Sequence, residues 1–157
     1  MWGHPETADR LSLLADQLRL AQAVTPNLIS QVIADACVRL PALGRTEKAA
    51  RLNRLIEAGA WTEVALALIE LELPQWTLRR LVRDDGEWLC SLSRQPNLPV
   101  ELDDTADARH EHLALALLSA LLEAKRQTAD AREVRSPIVP QVTPATGYYV
   151  VCCDNFT

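Results

Sequence analysis

The sequence predicts an α+β protein, mostly α: five helices, one β-hairpin (76–94) packed on them, and an extended C-terminal arm. Three observations predict it. Apolar residues recur at helical spacing in five segments, most of them opened or closed by capping residues. Between the fourth and fifth of these, residues 76–94 are rich in Trp, Leu, Val and Thr about an Asp84-Asp85-Gly86 turn, which suits two strands. From Ser136 onward three prolines lead into an uncharged, β-prone run at 148–153. Residues 1–135 therefore read as a single mostly helical domain. Residues 136–157 read as a Pro-containing arm that docks as an extra strand, on its own protomer or on a second one.

The chain has 157 residues, enough to bury a sizeable core. Its apolar content rests on Leu and Ala rather than aromatics, which favours helix packing. A net charge of −5 argues against a dedicated nucleic-acid binder and against an anionic membrane surface. The opening MWGHPETADR lacks the basic and apolar regions of a signal peptide. Apolar runs at 64–73 and 113–122 are too short to cross a membrane and are interrupted by Glu or Ser. A cytoplasmic location is the expectation. Cys37, Cys90, Cys152 and Cys153 show no CxxC spacing, so they read as reduced thiols.

Each element has a local reason. Thr7 can cap a first helix running to about Ala23, with Leu11, Leu14, Leu18 and Ala21 on one face. Thr25-Pro26 gives a second helix its cap and its first residue, and Leu28, Ile29, Val32, Ile33, Ala36, Cys37 and Leu40 form its stripe. Thr46 caps a third helix (46–58), and Gly59 sits where a left-handed C-terminal cap belongs. Thr62 can cap a fourth, with Trp61 stapled onto Leu66, in a segment apolar nearly all round until Pro74.

For the hairpin, a three-residue loop with a G1 bulge keeps the faces consistent. It sets Arg83 against Glu87, Val82 against Trp88, Arg80 against Cys90 and Leu78 against Leu92. A two-residue loop would set Arg83 against Trp88 and mix the faces. The three-residue loop leaves Arg80 on the apolar face and Leu81 opposite Leu89 on the other. Residues 95–104 form a Pro-containing loop. Asp104 or Thr105 then caps a fifth helix, whose stripe is Leu113, Leu117, Leu118, Leu121 and Leu122.

No catalytic, cofactor-binding or metal-binding set is expected. Read on a helix, His110 and His112 point about 200° apart, the wrong arrangement for a shared metal. Cys90 falls on the apolar face, where a thiol acts as a small hydrophobe. Cys152 and Cys153 alternate in direction along a strand. There is no Gly-rich phosphate loop, and no motif fixes a reaction.

Apolar excess carries the functional expectation. The fourth helix, both hairpin faces and the arm together exceed what a plain core needs. The chain is expected to be a small cytoplasmic protein–protein interaction protein, an adaptor or regulator. It would bind a protein partner or itself as a homodimer, through Trp61, Trp76, Leu81, Trp88 and Leu89. The alternative is a winged-helix-like DNA-binding regulator using the basic face of helix 46–58 (Lys48, Arg51, Arg54) and the hairpin (Arg79, Arg83). Against it, the fourth helix would be the recognition helix, yet it carries Glu63, Glu70 and Glu72.

Overall fold

In the computed structural model, which describes residues 5–134, the chain forms α1 (Pro5–Leu20), α2 (Pro26–Ala36), α3 (Glu47–Glu57) and α4 (Trp61–Glu72). Then come β1 (Thr77–Asp84), β2 (Glu87–Ser93), β3 (Ala106–His110) and α5 (Leu113–Val134). The strands make one antiparallel sheet in the order β1-β2-β3, packed against the helices. The expected mostly helical α+β class holds. The expected arm at 136–157, with Cys152 and Cys153, lies outside the described residues.

Several ends form as their residues dictate. Thr25 Oγ1 accepts the Leu28 N–H at 3.2 Å, and Pro26 opens α2. Thr46 Oγ1 accepts the Ala49 N–H at 3.3 Å. At the end of α3, Gly59 takes φ +67 and its N–H reaches Ile56 O at 3.1 Å. The Ala60 N–H reaches Leu55 O at 3.1 Å, completing the paired bonds of a Schellman motif. This closure turns the chain into α4 at once. Thr62, expected as the cap of α4, therefore lies inside its first turn, and Ala60 stands at the cap with no side-chain bond.

Two expectations about the strands also need correction. The hairpin has a two-residue loop: Asp84 pairs with Glu87, with Asp85 at φ +53 and Gly86 at φ +86. Two successive positive φ angles make the primed turn that matches strand twist. Arg83 thus does face Trp88, and its guanidinium lies 5.9 Å from the ring centroid, a favourable cation–π contact rather than a mixed face. A bulge between Leu78 and Arg80 then shifts the register, so Leu78 still pairs with Leu92. Leu81 consequently pairs with Cys90 on the helix-facing side, Leu89 pairs with Val82 on the outer side, and Arg80 is exposed opposite Ser91.

The second correction is β3. Residues 106–110 were expected inside the fifth helix, but they pair with β2 from Ala106–Leu92 to His110–Trp88. Ala106 and His110 are buried while Asp107 and Arg109 are exposed, a period of two in weakly β-prone residues. Pairing with a neighbouring strand outweighs such local preference. Helix α5 starts only at Leu113, after the His112 carbonyl accepts the Ala116 N–H at 3.0 Å.

Helix α5 is buried around most of its girth between Ala114 and Ala124, with Ser119 and Glu123 half-exposed. Leu115, Ala116, Leu117, Leu118, Ala120, Leu121, Leu122 and Ala124 are all closed to solvent. Around them pack α1, α4, β2 and β3. A helix apolar all round belongs at a centre, and α5 rather than α4 holds that place; Leu66 of α4 faces water. Among the described residues, no helix is long and apolar enough to cross a membrane.

Candidate functional site

The bulge in β1 has a second effect. It leaves Arg79 out of the ladder and re-aims its side chain. The Arg79 guanidinium donates to the Asp103 carboxylate and, through Nη2, to Leu98 O at 2.7 Å. Asp103 is almost wholly buried, with 2% of its side chain exposed. Its Oδ2 also accepts the Ser93 hydroxyl at 2.6 Å. Ser93 Oγ in turn accepts the Gln95 N–H at 3.0 Å. One buried ion pair and its hydrogen bonds therefore clamp both ends of the β2–β3 connection, residues 94–105.

The connection is also braced from within. The Leu98 N–H donates to Gln95 O at 3.0 Å, and the Leu102 N–H to Pro99 O at 3.0 Å, within a short 3₁₀ turn at Val100–Leu102. Pro96 and Pro99 restrict φ further. This ordered loop holds three apolar side chains out to solvent: Leu98 at 37% exposure, Val100 at 60% and Leu102 at 70%. Leu78 and Val82 on neighbouring β1 are each 40% exposed.

A second polar cluster lies across the molecule's helical side. Glu72, at the end of α4, has a side chain closed to solvent. Its oxygens accept the Arg39 N–H at 3.0 Å and the Leu40 N–H at 2.7 Å, and pair with Lys125 Nζ at 2.7 Å. Glu72 thus caps the turn after α2 and ties it to α4 and α5.

The residues expected to bind a partner are dispersed. Trp76 is buried in the core. Trp61, Leu81 and Trp88 are half-buried and packed against it. Leu89 is half-buried on the outer face, beside Val82 and Arg109. The residues expected to meet nucleic acid are largely engaged. Lys48 pairs with Glu70 at 3.5 Å and Arg54 with Glu47 at 3.2 Å, both on the surface. Arg79 is committed to Asp103, Arg83 lies over Trp88, and Arg51 is exposed on α3.

His110 ends a strand rather than riding a helix. Its Nδ1 accepts the His112 N–H at 3.0 Å, and the two rings lie 5.7 Å apart. Among the described residues no group of three or more His, Cys, Asp or Glu side chains is placed to hold a metal ion. Cys37 and Cys90 are buried free thiols. Burial, reinforced by the Glu72 charge, pushes the Cys37 thiol from 9.0 up to about 12. Burial, reinforced by Asp107, does the same to Cys90. Neither is a nucleophile at neutral pH.

Sequence reasoning missed Leu98, Val100 and Leu102. Their signal was present: alternate apolar residues inside a Pro-containing connection that has no core to fill. Compared with protein-family models, curated proteins and solved structures, the chain matches none.

Proposed function

We propose that this chain is a protein-interaction module, adaptor or regulatory in kind, and that the β2–β3 connection is its docking element. The observation that carries this reading is the combination found in residues 94–105. A buried ion pair holds the loop still, and the loop keeps Leu98, Val100 and Leu102 in water. A single exposed apolar residue is unremarkable on any surface, but three on one tied loop form a patch. Ordering the loop in advance removes an entropic cost of binding. Covering each Leu or Val side chain would return roughly 1.5–3 kcal/mol. Two buried free thiols agree with a reducing compartment such as the cytoplasm.

The test is a Leu98→Ser/Val100→Ser/Leu102→Ser variant of the full chain. It should lose the proteins that the parent captures from lysate while its Tm stays within a few degrees of the parent's. Sedimentation of both forms separates a second copy of the chain from a different partner. Capture that is unchanged in the triple variant would remove the loop from consideration.

A further inference from the structure

We propose that a cavity between the turn after α2, the α4–β1 connection and the second half of α5 binds a small oxyanion, a carboxylate or a phosphate. The cavity encloses about 250 Å³. That is below the roughly 300 Å³ at which drug-sized pockets begin, and suits a small ligand. Four cations reach it, Arg39, Arg94, Lys125 and Arg132, against one carboxylate, Glu72. The local balance is +3, in a chain whose net charge is −5. Low-dielectric walls concentrate such a field.

Glu72 does not neutralise the cluster. Its oxygens are occupied by two backbone N–H groups and by Lys125. Lys125 has further ammonium protons, and Nζ makes no second hydrogen bond among the described residues. Arg39, Arg94 and Arg132 have no carboxylate within ion-pair distance among the described residues. Arg94 is held in place: its guanidinium lies over the Trp76 ring, 5.0 Å from the centroid, and that ring is fixed in the core. Stacking on an aromatic face leaves the guanidinium edge free to donate two parallel N–H bonds, the geometry that carboxylate and phosphate oxygens accept.

Arg94 opens the β2–β3 connection, but Leu98, Val100 and Leu102 do not line the cavity, and the experiment keeps the two sites apart. The full chain is titrated calorimetrically with sodium phosphate and with sodium succinate, against sodium chloride at equal ionic strength. Saturable binding of one or both oxyanions is expected, and which one binds separates a phosphate source from a carboxylate source. Arg94→Gln/Arg132→Gln should weaken that binding at least tenfold. Arg132→Gln alone, which disturbs an exposed side chain only, should weaken it severalfold and guards against a double variant that folds poorly. The Leu98→Ser/Val100→Ser/Leu102→Ser variant should bind as the parent does. Heats no larger than those of chloride for both oxyanions, or an arginine double variant that binds as tightly as the parent, would overturn the site.

Discussion

Glu72 shows how much one buried side chain can organise. It is a residue of α4, yet it satisfies the N–H groups of Arg39 and Leu40, more than thirty positions earlier, and the ammonium of Lys125, more than fifty later. Removing it would strand a largely buried cation and two backbone donors. Glu72→Ala should therefore cost about 3–5 kcal/mol, read as a shift in the urea midpoint. An unchanged midpoint would mean that water replaces the carboxylate at no cost. The cysteines give a prediction with a sign. Both thiols are raised from 9.0 to about 12 in the folded chain. Between those values the unfolded chain loses thiol protons and the folded chain keeps them. Stability from this source is complete below pH 9 and falls as pH rises towards 12. Cys37→Ala and Cys90→Ala should each reduce that fall, and neither native thiol should react with a disulfide reagent at pH 8. None of this long-range pairing was legible beforehand. In the sequence Glu72 is one of two acids interrupting an apolar run, and nothing local marks it as the buried one.

At the scale of the element, hairpin and loop are a single device. The turn at Asp85-Gly86 sets a register in which β1 is one residue too long for β2, and the bulge at Arg79 absorbs the excess. That bulge frees Arg79 to hold the β2–β3 connection. Gly86 sits at φ +86, a conformation that L side chains rarely adopt. Gly86→Ala should cost about 1–2 kcal/mol, the penalty for a Cβ in the left-handed region, and thermal melting reads it directly. Asp103→Ala should release the loop instead. Protease should then cut within residues 95–104 while the rest of the chain stays intact, whereas equal resistance in parent and variant would show that the loop is held by other means. The hairpin's place was legible from its Trp-, Leu- and Val-rich flanks and its Asp-Gly. Its register was not, because unbroken alternation favours the three-residue loop, and a bulge breaks alternation without any residue that announces it. The same holds for β3, where Ala-Asp-Ala-Arg-His carries the right period in residues of low β preference.

For the whole molecule, α5 decides whether helices and sheet are one unit or two. It touches α1 and α4 as well as β2 and β3. Leu118, on α5, is closed to solvent. The class of fold could be read from caps and periodicity because those signals are local. The central role of α5 could not, because the sequence shows a stripe of leucines and does not show that the alanines between them are covered too. Those alanines, Ala116, Ala120 and Ala124, let neighbouring elements pack closely on the faces that the leucines leave. If α5 joins both halves, unfolding is a single transition. Helical circular dichroism and tryptophan fluorescence, with Trp61 in α4, Trp76 before β1 and Trp88 in β2 among its four reporters, should then share one midpoint. Leu118→Ala should lower both midpoints by the same amount, about 2–5 kcal/mol of stability, since the cavity it opens weakens helix and sheet contacts together. A sheet that melts separately from the helices, or a variant that moves one signal and not the other, would show that α5 does not join helices and sheet into one cooperative unit.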